Sequence, residues 1–155
     1  MKDLKYLIIH CTDTPQGRSI SSQDIRRWHI LERGWSKVGY SDMIHLDGSL
    51  ENLTPFDQDN QVDPFEVTNG VLGLNGVSRH VVYVGGRREG KPYDTRTEAQ
   101  YFALETYVKY MILRHPNIKV AGHHQFSNKE CPSFHVPEWL QSICINDKNI
   151  YYEIR

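Results

Sequence analysis

The sequence predicts an α/β fold, a single domain over residues 1–155 with a central mixed β-sheet flanked by helices. Two apolar runs, Leu4 to Cys11 and Val77 to Val84, have the length and β-branching of buried strands. A long segment, Thr95 to Arg114, has helical periodicity and a hard stop at His115-Pro116. Strand and helix signals alternate along 155 residues without a repeat or a low-complexity segment, and one mixed sheet packed by helices satisfies that order.

The elements follow in turn. After the first strand, Asp13-Thr14-Pro15-Gln16-Gly17 breaks the chain with turn chemistry. Ser21 or Ser22 caps a helix to about Glu32, with Ile25, Trp28, His29 and Glu32 on one face and Gly34 ending it. Tyr40 to Leu46 and Ser49 to Leu53 form a hairpin about Asp47-Gly48, a dipeptide that favours a type I′ turn. Residues 54–76, rich in Pro, Asp, Asn and Gly, read as a long loop. Val77 to Val84 is the second strand, closed by Gly85-Gly86. In the long helix, Thr95 and Glu98 have capping-box spacing, and Ala99, Phe102, Ala103, Thr106, Tyr110 and Leu113 form the expected apolar stripe. Ile118 to Ala121 is a short strand, residues 122–136 an irregular loop, and Pro137 to Ile143 a last helix with proline at its start.

Composition narrows the function. Eighteen basic against 19 acidic side chains leave a net charge of −1, which argues against a nucleic-acid-binding surface. No apolar run reaches the length of a membrane span, so no membrane insertion is expected. The N-terminus lacks the pattern of a secretory signal, so synthesis in the cytoplasm is expected. Three cysteines, Cys11, Cys131 and Cys144, are too few for a disulfide framework. No glycine-rich loop suits a phosphate-loop or Rossmann enzyme.

Chemistry concentrates at strand ends, where a rigid sheet can hold converging side chains. His10 ends the first strand, His123 follows Gly122 after a later one, and Cys131 lies in Lys129-Glu130-Cys131-Pro132. Two neutral imidazoles and a thiolate form a borderline-soft donor set that suits zinc, and three protein ligands leave the fourth tetrahedral position open, as in catalytic sites. The plainer alternative makes His10 a core histidine and Cys131 a small buried hydrophobe.

Several segments carry a resemblance to a known family: Ile8-Ile9-His10-Cys11-Thr12, Gly34-Trp35, Gly39-Tyr40, Asp47-Gly48, Val84-Gly85-Gly86, and Gly122-His123-His124 with Lys129-Glu130-Cys131-Pro132-Ser133-Phe134. In this order, from about Leu4 to Leu140, the chain resembles the zinc-dependent N-acetylmuramoyl-L-alanine amidases of phage-lysozyme type, relatives of the peptidoglycan recognition proteins. The resemblance implies an amidase-like fold and one zinc ion held by His10, His123 and Cys131. It implies Tyr40 and Lys129 as catalytic residues, and a peptidoglycan or muropeptide substrate cut between N-acetylmuramic acid and L-Ala. It also implies a monomer acting on the cell wall after release or delivery, as an endolysin does.

Two departures stand out. Ser41 and Asp42 follow Gly39-Tyr40 where the catalytic members continue with His and an aromatic residue, and Gly70 to Asn75 is shorter than the family's loop and lacks its histidine. These departures motivate a non-catalytic peptidoglycan-binding module as the alternative, although members that only recognise peptidoglycan typically lack the ligand cysteine. A thiol hydrolase with Cys131 as nucleophile and His123 or His124 as base is a third reading. Among the remaining residues, His80 is a candidate to replace the missing loop histidine and His135 to support the metal ligands. His29 is expected to pack under Trp28, with contact to substrate at the groove as the alternative, His115 to sit as a cation at a helix C-terminus, and Cys11 and Cys144 to be buried thiols. Arg87, Arg88 and Lys91 form a small basic patch suited to an acidic stem peptide.

Overall fold

The first apolar run forms β1 (Tyr6–Cys11), and the second forms β4 (Ser78–Tyr83); they lie side by side, parallel, at the centre of a five-stranded sheet. The computed structural model describes residues 1–153. The other strands are β2 (Asp42–Ile44), β3 (Leu50–Asn52) and β5 (Lys119–Gly122), in the spatial order β5-β1-β4-β2-β3. Only the β2–β3 hairpin at the edge is antiparallel. The central strands are buried on both faces and read as continuous apolar runs for that reason.

Alternation divides the side chains between two cores. Leu7, Ile9 and Cys11 of β1 and Val81 and Tyr83 of β4 join Leu104, Val108 and Met111 of α2 (Glu98–Arg114) and Val136 and Leu140 of α3 (Val136–Ser142). On the opposite face Val82, Val84 and Met43 pack with Ile20, Ile25 and Val38. Ile25 belongs to α1 (Ser22–Arg26), capped by Ser21, which continues as a wider π-helical turn over Arg27–Glu32. Gly34, with φ of 72°, ends this helix as the sequence predicts.

Three local expectations are corrected. The hairpin turn is not type I′: Gly48 has φ of 85° but Asp47 is not among the positive-φ residues, and Gly48 N donates to His45 O at 2.9 Å. A type I turn closed by a left-handed glycine has this form. The long helix is capped by Thr97, not Thr95, through reciprocal bonds with Gln100 of 3.0 and 2.9 Å. Thr95 is drawn off because its Oγ1 accepts from Gly86 N at 2.8 Å. The stripe also lies on another face. Gln100, Leu104, Tyr107, Val108 and Met111 are buried, whereas Phe102 and Leu113 are 76% and 79% exposed. The buried Gln100 amide donates to Val84 O at 3.0 Å, so a polar residue marks the inner face and disguises it in the pattern.

The segment 54–76 is not bare loop. Gln61–Val62 pairs antiparallel with Lys2–Asp3, and short 3₁₀ turns form at Pro64–Glu66 and Asn75–Val77. A further small sheet joins Thr14–Pro15, Gly86–Arg88 and Lys91–Pro92. No helix among the described residues is long and apolar enough to cross a membrane.

The corrected helix face makes a stability prediction. Leu104→Ala should lower the unfolding free energy by about 2–5 kcal/mol, since it empties a buried site. Phe102→Ala should stay within about 0.5 kcal/mol of the parent. Urea denaturation of both variants distinguishes the buried face from the expected one.

Candidate metal centre

Parallel register assembles the site. β5 pairs with β1 so that Gly122 lies beside Ile9, and one step further along each strand places His123 beside His10. Their ring centroids are 4.7 Å apart. Gly122 is required by close approach: a Cβ there would lie 2.5 Å from Val136 Cγ2 and 2.6 Å from the His124 ring. The chain then makes a 3₁₀ turn, His123–Gln125, and returns so that His124 N donates to Cys131 O at 2.7 Å.

The Cys131 loop is held from several sides. Cys11 N donates to Cys131 Sγ at 3.2 Å, Tyr83 Oη donates to Pro132 O at 2.7 Å, and Ser133 Oγ donates to Gly86 O at 2.9 Å. Phe134 is clamped by Arg96, whose guanidinium lies 3.4 Å from its ring centroid and is fixed by Asp94. The result brings one donor atom each from His10, His123 and Cys131 within 4.8 Å of one another.

The donor set fits a soft divalent cation. Burial, followed by the neighbouring His80, His123 and Lys129, holds His10 well below its ordinary pKa. Burial and then Lys129 lower His123 to about 4. Both rings therefore stay neutral near pH 7 and keep a lone pair. Burial pushes the Cys131 thiol up, so its thiolate requires a cation beside it. The same shift opposes the thiol-hydrolase reading, because a nucleophilic cysteine needs a depressed pKa.

The cluster opens into a cavity of about 310 Å³ lined also by Tyr40, His29, Trp35, Arg33, Arg87 and Lys129. The Tyr40 ring stands 5.3 Å from that of His10 and 5.2 Å from that of His29. Burial raises its phenol far above the ordinary value, so it remains a proton donor. Lys129 is exposed at the rim, and its ammonium depresses the pKa of His10, His29 and His123. All five residues expected at the site thus line one cavity.

His29 lines the cavity, the less favoured of its two expected placements. It packs against Trp35 and Tyr40 rather than being defined by Trp28, and its Nδ1 accepts from Gly39 N at 2.9 Å. The signal available in the sequence was its place on the buried face of the first helix.

The departure after Gly39-Tyr40 has a structural explanation. Ser41 Oγ accepts from His80 N at 3.0 Å, so this side chain ties β4 to the start of β2. Asp42 points into a buried network: Arg79 Nη2 donates to it at 3.2 Å, Tyr107 Oη at 2.5 Å and Asn52 Nδ2 at 2.8 Å. Arg79 also stacks on Phe56. Neither Ser41 nor Asp42 lines the cavity.

Other histidines depart from expectation. His80 lies behind His10 rather than on the cavity wall, so it does not take the place of a loop histidine. His135 caps α3, its Nδ1 accepting from Glu138 N at 3.3 Å, and touches His124 rather than the cluster. His115 is buried, hydrogen-bonded to Asn60 at 2.7 Å and shifted down by burial, so it is not a helix-end cation. Cys11 is buried as expected, whereas Cys144 is exposed. Of the basic patch, Arg87 reaches the cavity and pairs with Asp13 at 3.0 Å.

The mixed sheet shares its fold with solved amidases and peptidoglycan recognition proteins. N-acetylmuramoyl-L-alanine amidase LysC from Clostridium intestinale superposes with a TM-score of 0.72 at 22% identity, covering 94% of this chain and 88% of that one. Drosophila PGRP-LB gives 0.70 at 23%, covering 95% and 87%. Within that class the chain belongs to the N-acetylmuramoyl-L-alanine amidase family, whose model matches residues 1–134, and to its phage type. The endolysin of Klebsiella phage KP32 is 32% identical over 90% of this chain and 87% of its own length.

His29 makes the electrostatics testable. Burial, then Arg33 and Lys129, lower its pKa from 6.5 to about 4. The folded state resists protonation that the unfolded state accepts, so stability is full above pH 6.5 and is lost as the pH falls through about 4. One proton limits the slope to about 1.4 kcal/mol per pH unit. His29→Asn keeps an acceptor for Gly39 N without the titration. Chemical denaturation in chelator across pH 7 to 4 should show a shallower loss for this variant than for the parent.

Proposed function

We propose that residues 1–155 act as one zinc-dependent amidase domain that hydrolyses the amide between N-acetylmuramic acid and the L-Ala of the peptidoglycan stem. The observation that carries this reading is the convergence of His10, His123 and Cys131 within 4.8 Å on the wall of a cavity that also holds Tyr40 and Lys129. Family membership supports the bond cleaved, and the phage relative of similar length is an endolysin. The protein would then act on the cell wall after release from the cell that makes it, as a monomer.

His10, His123 and Cys131 would hold the metal. Bound zinc supplies Lewis-acid activation of water and polarisation of the scissile carbonyl. In the hydrolysis, water adds to the lactyl carbonyl carbon, the C–N bond breaks, and the products are a muramyl carboxylate and the free amine of L-Ala. Negative charge builds on the carbonyl oxygen as water adds. Lys129 brings a positive charge to the rim where that oxygen would lie, and Tyr40 brings a phenol that burial keeps protonated. Tyr40, buried against His10 and His29, would need little reorganisation to donate. Arg33, Arg87 and Lys129 line the same cavity with Asp13 and Glu130, and Arg87 pairs with Asp13, so the margin keeps a small cationic excess suited to the carboxylates of a stem peptide.

Two measurements on one preparation test this reading. Protein purified without chelator should carry about one zinc per chain by elemental analysis and release L-Ala amino termini from peptidoglycan. His123→Ala and Cys131→Ala should lose both. Zinc bound with no termini released would favour a binding module instead. Separately, Lys129→Ala should retain its zinc while kcat falls about 100- to 1,000-fold, the usual loss for one oxyanion donor; unchanged kcat would remove Lys129 from the mechanism.

A further inference from the structure

His80 is a wholly buried imidazole on a central strand, at 0% exposure. It occupies a position between Arg79 and Val81 that packing alone would fill with an aliphatic residue. In the parallel register it lies beside Ile8, so alternation turns it to the same sheet face as His10, two residues further along β1. There its Nδ1 meets His10 Nε2 at 2.8 Å. Its own Nε2 has no hydrogen-bond partner among the described residues. His80 is absent from the cavity wall, so it reaches the site only through His10.

The ring has a built seat. Ser41 holds its backbone on both sides: His80 N donates to Ser41 Oγ at 3.0 Å, and Ser41 N donates to His80 O at 2.8 Å. Gly70 makes room for the imidazole, because a Cβ at that position would lie 2.3 Å from His80 Nδ1.

Proton counting then assigns the contact a direction. Two neutral rings share one hydrogen between the facing nitrogens. If His80 Nδ1–H donates, His10 carries its only proton on Nδ1 and its remaining lone pair, on Nε2, is consumed, so it has none to offer a metal. If His10 Nε2–H donates, Nδ1 of His10 is a free lone pair and the His80 proton sits on Nε2. Only the second arrangement is compatible with His10 as a ligand.

We propose that His80 is a positioning residue of the metal centre, accepting the His10 Nε2–H so that His10 offers Nδ1 to the metal. The inference rests on the zinc reading above. A histidine thus takes the supporting role that a carboxylate, carbonyl or water commonly fills behind a ligating imidazole. Because the acceptor is an uncharged ring, it orients His10 without adding a negative charge behind the site.

The test is zinc affinity, measured by competition with a chromogenic chelator, together with nitrogen-15 NMR of the imidazoles in the zinc-loaded parent. The NMR should find protons on Nε2 of both His10 and His80. His80→Leu removes the acceptor and fills the volume, and it should weaken zinc binding by about 10- to 100-fold, the usual effect of losing such a partner. Gly70→Ala, which displaces the ring while keeping it, should weaken zinc binding in the same direction. His80→Asn, which restores an acceptor near the Nδ1 position, should return affinity to within about threefold of the parent. A folded His80→Leu with parental affinity, or a proton on His80 Nδ1 in the loaded protein, would overturn the inference while leaving the zinc reading intact. A parent that binds no zinc would overturn both. Should His80→Leu fail to fold, the NMR result and the Gly70→Ala affinity still decide the matter.

Discussion

Parallel pairing of β5, β1 and β4 is the constraint on which the site depends. Because β5, β1 and β4 run the same way, their C-terminal ends share one edge of the sheet. Residues far apart in sequence, His10 and His123, become neighbours through backbone hydrogen bonds alone. A single-residue slip would turn every side chain of the shifted strand to the other face, sending His10 into the α2–α3 core. The apolar burial of Leu7, Ile9 and Cys11 on one face and of Val82 and Val84 on the other therefore protects the geometry of the site as well as the stability of the fold.

Around this frame the molecule separates two kinds of electrostatics. Away from the cavity, charge is paired: Asp42 and Arg79 are buried together with Tyr107, with Asn52 donating to Asp42 from the exposed edge strand, and Arg96 is held by Asp94 beneath Phe134. Removing one member of such a network strands the other in low dielectric, a larger penalty than the pair's net stabilisation. At the site itself the histidines are kept neutral by burial and by Lys129, while positive charge stays at the rim. Neutral lone pairs inside suit a bound metal.

The misread elements share a cause. The expected stripe of α2 followed hydrophobicity, yet the inner face carries Gln100, whose amide satisfies carbonyls at the end of β4 and in the hairpin. Phe102 and Leu113 were placed inside on the same logic and lie outside. Thr95 has the spacing of a cap, but its hydroxyl accepts from Gly86 N instead. His115 was legible as a helix-end residue, but its partner Asn60 lies 55 positions away. The Gln100, Thr95 and His115 readings each turn on a polar group whose partner lies outside its own segment, and local periodicity holds no information about such partners.

Strand and helix order, the turn-forming glycines and the identity of the chemically capable residues were determined by the sequence, because they follow from local propensity and side-chain chemistry. His10, Tyr40, His123, Lys129 and Cys131 were legible in that way, through motif and resemblance. The tertiary structure decided which of the eight histidines face the site, which cap helices and which pair inside. It also decided why Ser41 and Asp42 differ from the family pattern, since both are committed to β4 and its neighbours rather than to the cavity. Facing is a property of register and packing between strands, and register is set by long-range pairing that no single segment encodes.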